Sequence, residues 1–276
     1  MSSTFRIAAL QTVSTPSVER NLVAARHLVR QAAERGARLV VLPEYFCFMG
    51  QDDRDKLGIA ERAGDGPIQH ALAEAARTHG VWIIGGTLPM RMPDVTDRVL
   101  NTSCVFAPDG RLAARYDKIH LFRYDNGRER YDEGRVLQAG GTPVAFDADG
   151  WRTGLSVCYD LRFPELYRAL TYAPGEPPCD LLAVPSAFTY TTGRAHWELL
   201  LRARAIENQC YVIAAAQGGV HETGRRTWGH SMIVDPWGDV LDLLPEGQGV
   251  VLAEMQRSRI EAVRTQLPAL EHRREQ

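Results

Sequence analysis

The chain has 276 residues, 45% of them hydrophobic and 24% charged, with a formal net charge of −2, the composition of one large globular domain spanning 1–276. That balance gives no footing for nucleic acid or an anionic membrane surface, and no stretch approaches the ~20 apolar residues of a membrane span. Its five cysteines (Cys47, Cys104, Cys158, Cys179 and Cys210) are odd in number, widely spaced and without a CxxC pair, so free thiols are expected in place of a disulfide framework or a zinc cluster.

The N-terminal run MSSTFRIAALQT lacks the charged and apolar segments of a signal peptide, which makes the cytosol the expected location. FRIAALQT (5–12) reads as a strand. SVERNLVAARHLVRQAAERG (17–36) reads as a helix, from Leu22, Ala25, Val29 and Ala32 on one face and a closing Gly36. ARLVVLPE (37–44) is a short apolar run suited to a strand buried on both faces. A helix over 67–80 and a buried strand over 81–88 repeat the unit. Two such units imply a largely parallel sheet with helices packed on it.

Next, 100–118 reads as a hairpin turning at Pro108-Asp109-Gly110, and 142–160 as a second turning at Asp149-Gly150. A helix over 161–172 must hold Pro164 in its first turn. Strand 179–188, helix 195–209 and strand 210–217 follow. The chain closes with a hairpin over 229–244, a strand over 249–255 and a helix from about Ser258 to Leu270. Both halves carry strand–helix–strand units plus hairpins, which fits an α/β domain of two face-to-face sheets with helices outside.

Three reactive side chains fall at or just beyond the ends of expected strands, where α/β sheets place their sites. Glu44 follows a buried run and so has little solvent around it, which suits a proton-transfer group. Lys118 stands out because only it and Lys56 are lysine among 32 basic residues; the sequence otherwise writes arginine. A compact ammonium directs its charge at one oxygen, which a planar guanidinium does less well. Cys158 sits where a strand passes into a helix start, a position that favours a thiolate and supplies backbone N–H groups for an oxyanion. The other cysteines read as core or loop thiols, with Cys47 close enough to Glu44 in sequence to share its cleft. A thiol, a carboxylate and an ammonium together form a working set for acyl transfer.

The three motifs, Leu42-Pro43-Glu44, Tyr116-Asp117-Lys118-Ile119-His120-Leu121-Phe122 and Val157-Cys158-Tyr159-Asp160-Leu161-Arg162-Phe163-Pro164-Glu165, resemble the signatures of the nitrilase superfamily of carbon–nitrogen hydrolases in order, spacing and flanking residues. The resemblance spans nearly the whole chain. It implies a four-layer α-β-β-α sandwich with mixed sheets and association into homodimers or larger homo-oligomers. It also implies a fourth acid at Glu133 in Tyr131-Asp132-Glu133-Gly134. The runs 185–188, 192–198 and 202–209 look like the amidase branch that includes ω-amidase and deaminated-glutathione amidase. Residues 211–217, 229–232 and 235–238 are closer to the latter.

The function implied is hydrolysis of a side-chain amide on a small carboxylate-bearing substrate through a Cys158 thioester, releasing ammonia, with no metal or organic cofactor. Tyr159, Arg162, Thr191 and Thr192 are the candidate substrate contacts. Arg162 serves either as an anion anchor or as a structural partner of Glu165 or Asp160, and Arg123 and Arg128 are further candidate cations. Three other readings stand beside it: an ω-amidase or N-carbamoyl or nitrile hydrolase, a Cys–His enzyme with His120 or His230 as base, and an oligomeric binding protein on the same fold.

Overall fold

The computed structural model describes residues 3–274. In chain order, β1 (Thr4–Gln11), α1 (Val18–Glu34), β2 (Leu39–Val41), α2 (Pro67–His79) and β3 (Trp82–Ile84) make two consecutive strand–helix–strand units whose strands are all parallel. Then β4 (Leu88–Met92), β5 (Val95–Phe106) and β6 (Leu112–Asp117) extend the sheet in antiparallel fashion.

The second half repeats the plan. It runs through β7 (Ala145–Ala148), β8 (Trp151–Leu155), α3 (Pro164–Thr171), β9 (Leu181–Ala183), α4 (Tyr190–Asn208), β10 (Tyr211–Ala214), β11 (Ser231–Val234) and β12 (Val240–Leu244). Finally β13 (Gly249–Gln256) returns to pair with β1, and α5 (Arg257–Gln266) closes the fold. The sheet orders are β13-β1-β2-β3-β5-β4, with β6 on β5, and β7-β8-β9-β10-β11-β12. The two-fold pattern in the sequence is therefore a β-α-β-α-β repeat at the centre of each mixed sheet.

Period-two alternation decides the layers. Ile7, Ala9, Leu39, Val41, Trp82 and Ile84 face the second sheet and join one cluster with Leu155, Leu181, Ala183 and Val212. Their neighbours Ala8, Leu10, Val40, Leu42 and Ile83 face the other way, onto Ala25, Leu28 and Val29 of α1 and Leu72 and Ala76 of α2. Each buried Leu, Ile or Val contributes about 1.5–3 kcal/mol, so a one-residue slip in any central strand is strongly disfavoured.

Several boundaries differ from expectation for local reasons. The strand expected over 81–88 stops at Ile84, and β4 begins at Leu88. Between them Gly86 takes φ +54°, and a Cβ there would lie 2.0 Å from the Pro43 carbonyl oxygen. Only glycine permits so close a crossing over the exit of β2. Helix α4 starts at Tyr190, five residues early, because the Thr189 side chain caps it by accepting from the Thr192 N–H. Helix α5 ends at Gln266 because Pro268 holds Leu267 extended, at φ −137°. Two hairpins, Arg123–Asp125 with Arg130–Asp132 and Gly218–Val220 with Arg226–Trp228, went unanticipated. No helix among the described residues is long and apolar enough to cross a membrane.

Candidate active site

Glu44 emerges from β2 and is 1% exposed. Its Oε1 accepts from Lys118 Nζ at 2.9 Å and from Asn101 Nδ2 at 2.9 Å, and its Oε2 accepts from the Ala187 N–H at 2.9 Å. Lys118 lies one residue past β6, also 1% exposed, and reaches Glu133 as well, at 3.0 Å to Oε1 and 2.8 Å to Oε2. Glu133 opens a short 3₁₀ turn (Glu133–Arg135). Its carboxylate further accepts from the Tyr45 hydroxyl at 2.9 Å and the Phe122 N–H at 2.7 Å. One ammonium thus sits between two carboxylates: Glu133 accepts two hydrogen bonds on each oxygen, whereas Glu44 accepts two on Oε1 and one on Oε2, which holds all three groups in place and leaves Glu44 room for one more donor.

Cys158 follows β8 and opens a 3₁₀ turn (Cys158–Arg162) that leads, through Phe163, into α3. It is a non-glycine residue in the left-handed region, at φ +48°. That costs on the order of 1–3 kcal/mol and turns the side chain sharply out of the strand. The bond from its N–H to the Pro185 carbonyl, 2.9 Å, holds the bend. The next amide, the Tyr159 N–H, meets no acceptor among the described residues.

Asp160 ties the turn to the lysine segment. Fully buried, it accepts from the Val157 N–H at 2.8 Å and the Tyr116 hydroxyl at 2.7 Å through Oδ2. Through Oδ1 it meets the His120 N–H at 3.0 Å and His120 Nδ1 at 2.7 Å. One carboxylate therefore fixes Lys118, between Tyr116 and His120, relative to Cys158.

The charges are unequal in their effects. Burial pushes the Cys158 thiol well above the usual thiol range; Glu44 and Glu133 add to the push, and Lys118 opposes it. Burial alone would lower the Lys118 affinity for its proton, but Glu133, Glu44 and the thiol outweigh it, so the ammonium holds its proton more tightly than an ordinary lysine. A resting site of one ammonium, two carboxylates and a neutral thiol follows. Moving the thiol proton onto Glu44 leaves the total charge unchanged, whereas losing it to solvent would add a second uncompensated negative charge.

Glu44, Glu133 and Cys158 line a narrow cleft of about 20 Å³ with Tyr159, Arg162 and Thr192. Arg162 lies 5.3 Å from the Phe188 ring centroid and 5.8 Å from that of Tyr159, and its Nη1 is 3.2 Å from His196 Nδ1. It makes no ion pair among the described residues, so of its two alternatives the structural pairing with Glu165 or Asp160 is not formed; Asp160 is filled by other donors. Thr191 departs from expectation too. Its hydroxyl donates to Glu129 at 2.8 Å on the exposed rim, because at the start of α4 it projects away from Thr192. Arg123 and Arg128 do not line the cleft.

The candidate histidine bases are occupied elsewhere. His120 is engaged with Asp160 and stacked on Phe163 at 3.7 Å, and His230 stacks on Trp228 with Nδ1 3.0 Å from the Trp228 carbonyl oxygen. No histidine nitrogen bonds to Cys158 among the described residues. All five cysteines are free. Cys47 lies in the α1/α2 layer, with its thiol toward the Thr87 carbonyl, and does not share the cleft.

Sequence reasoning missed Asn101, Tyr45, Tyr116, Asp160 and Arg225 as parts of this site. Tyr45 adjoins Glu44, and Asp160 lies two residues after Cys158, so adjacency to a reactive residue was their one available signal. Asn101 and Arg225 had none, since they arrive from distant hairpins.

The carbon-nitrogen hydrolase family description matches residues 6–265. A deaminated glutathione amidase from Yersinia enterocolitica is 40% identical, the match covering 97% of this chain and 92% of that one. A chloroplastic omega-amidase from Arabidopsis thaliana is also 40% identical, over 98% of this chain and 72% of its own length. The crystal structure of Saccharomyces cerevisiae Nit3, a member of branch 10 of the nitrilase superfamily, superposes with a TM-score of 0.88 at 30% identity, covering 100% of this chain and 98% of that one.

Proposed function

From the premise that this chain belongs to the carbon–nitrogen hydrolase family and hydrolyses amides, we propose that it cleaves the side-chain amide of a small carboxylate-bearing substrate through a Cys158 thioester, with deaminated glutathione as the substrate. The observation that carries this reading is one cleft lined by Glu44, Glu133 and Cys158, with Lys118 bonded to both acids behind it, that also holds the Arg162 guanidinium, which makes no ion pair among the described residues.

The Cys158 sulfur attacks the amide carbonyl carbon as Glu44 accepts the thiol proton. Negative charge forming on the carbonyl oxygen falls between Lys118 Nζ and the Tyr159 N–H. A donor so placed is worth about 3 kcal/mol. Collapse breaks the C–N bond, Glu44 returns the proton to the departing amine, and the acyl group remains on sulfur. Glu44 then takes a proton from water, whose oxygen attacks the thioester, releasing the carboxylic acid and restoring the thiol. Glu133 holds the ammonium in place, and Arg162 binds the substrate carboxylate.

The leaving amine needs a correction. Ammonia leaves only from a primary amide; in deaminated glutathione the side-chain amide nitrogen belongs to a dipeptide, so a dipeptide leaves. A second reading, an ω-amidase acting on 2-oxo acid amides, is favoured by the narrowness of the cleft and the equal identity to the omega-amidase. Measuring 2-oxo acid release from deaminated glutathione and from 2-oxoglutaramate ranks the two. Mass spectrometry of protein quenched during turnover should find the acyl adduct on Cys158 and none in Cys158→Ala. Full turnover by Cys158→Ala would overturn the mechanism. A homodimer or larger assembly continuing the sheets belongs to the same proposal, and light scattering on the purified protein tests it.

A further inference from the structure

Arg225 takes no part in the chemistry above, yet it lines the reaction cleft and also a second cleft beside it, lined by Tyr45, Asp53, Lys56 and Tyr131 among others. It is the residue at which the two meet. It lies just before the strand Arg226–Trp228, and its guanidinium carbon is 5.4 Å from the Tyr131 ring centroid. Its polar contacts are weak: Nη1 to the Met49 sulfur at 3.7 Å and Nη2 to the Ala187 carbonyl oxygen at 3.5 Å. Its Nε is buried without an acceptor, and among the described residues it makes no ion pair. Asp53, which feels the Arg225 charge across the second cleft, makes its ion pair with Lys56. An arginine with a buried idle N–H, facing a cavity, is a cation waiting for an oxygen anion.

Its side of the site identifies which anion. Arg162 belongs to the same turn as Cys158, the side to which the acyl group becomes attached. Arg225 instead touches Ala187, whose N–H holds Glu44, and packs on Tyr131, two residues before Glu133. The amine departs toward the acid that protonates it, since that acid must be within hydrogen-bond reach of the nitrogen. Groups beside Glu44 therefore face the leaving amine.

We infer that Arg225 is a specificity-determining residue that binds a carboxylate carried by the leaving amine, with the second cleft receiving the rest of that group. The enzyme is thereby directed to N-substituted amides with an acidic leaving group over primary amides. This rests on the amide-hydrolase reading of Cys158.

The test crosses enzyme variants with substrate variants. Wild type, Arg225→Met and Arg225→Lys are assayed for kcat/KM on deaminated glutathione, on the same compound with its terminal carboxyl converted to carboxamide, and on 2-oxoglutaramate. Wild type should prefer the free carboxyl over the carboxamide by roughly tenfold or more, and Arg225→Met should lose that preference, with Arg225→Lys retaining part of it. A fold defect lowers all three substrates together and does not remove the preference. If wild type has no preference, or Arg225→Met keeps it, the inference is overturned while the proposed function stands. A wild type inactive on all three overturns both.

Discussion

Glu44 and Lys118 are separated by 74 residues in sequence, yet they share a 2.9 Å ion pair in which neither side chain is more than 1% exposed. A buried pair of this kind is not evidence of stability by itself, because desolvating two charges offsets their attraction. In the proposed mechanism it holds a proton acceptor and a positive charge beside one thiol.

Glu44→Gln removes the proton acceptor while keeping its size. Turnover should fall by about two to four orders of magnitude, whereas His120→Ala should cost far less. Steady-state kinetics of both variants on one substrate check this. A more damaging His120→Ala would reinstate a Cys–His mechanism.

Lys118→Ala should lower turnover at least ~100-fold through loss of the oxyanion donor. It should also destabilise the fold by about 3–5 kcal/mol, since Glu44 and Glu133 then face each other without a counter-charge. Lys118→Arg should not restore activity, because a planar fork does not fit a site built around one nitrogen. Denaturant melts beside the kinetics separate the two effects.

Asp160→Asn replaces one acceptor oxygen by a donor facing donors. A loss of roughly 2–3 kcal/mol is expected, together with reduced turnover as the Cys158 turn and the Lys118 segment come apart. An unchanged melting temperature would refute the anchoring role.

Alkaline stability follows from the thiols. Burial raises Cys179 to about 11, Cys104 to about 12 and the other three also above the usual range. Unfolded thiols ionise near ~8.5, so above that pH the unfolded state binds fewer protons than the folded one and stability falls as pH rises. Each thiol contributes up to ~1.4 kcal/mol per pH unit. Denaturant midpoints from pH 7 to 10 under reducing conditions should show the decline, shallower in Cys210→Ala. A flat profile would contradict it.

The central elements were legible because their signals are local. Alternating burial in β1 and β2, the Gly80 stop of α2 and the Pro164 start of α3 all lie within a few residues of what they determine. The three-residue hairpin strands were not legible, since segments that short carry no period. The early start of α4 was hidden because Thr189 to Thr192 reads as loop until the Thr189 cap is seen.

For the site, the sequence by itself determined the reactive residue types: a thiol and a carboxylate each just past a strand, a lysine in a chain that otherwise writes arginine, and Glu133 through family resemblance. Only the tertiary structure decided what each of these touches. It filled Asp160 with donors from the lysine segment, left Arg162 and Arg225 without acids and turned Thr191 out to the rim. The physical reason is that reactivity belongs to a residue type and its flanking backbone, whereas partnership depends on which distant strands and hairpins meet at one end of the sheets.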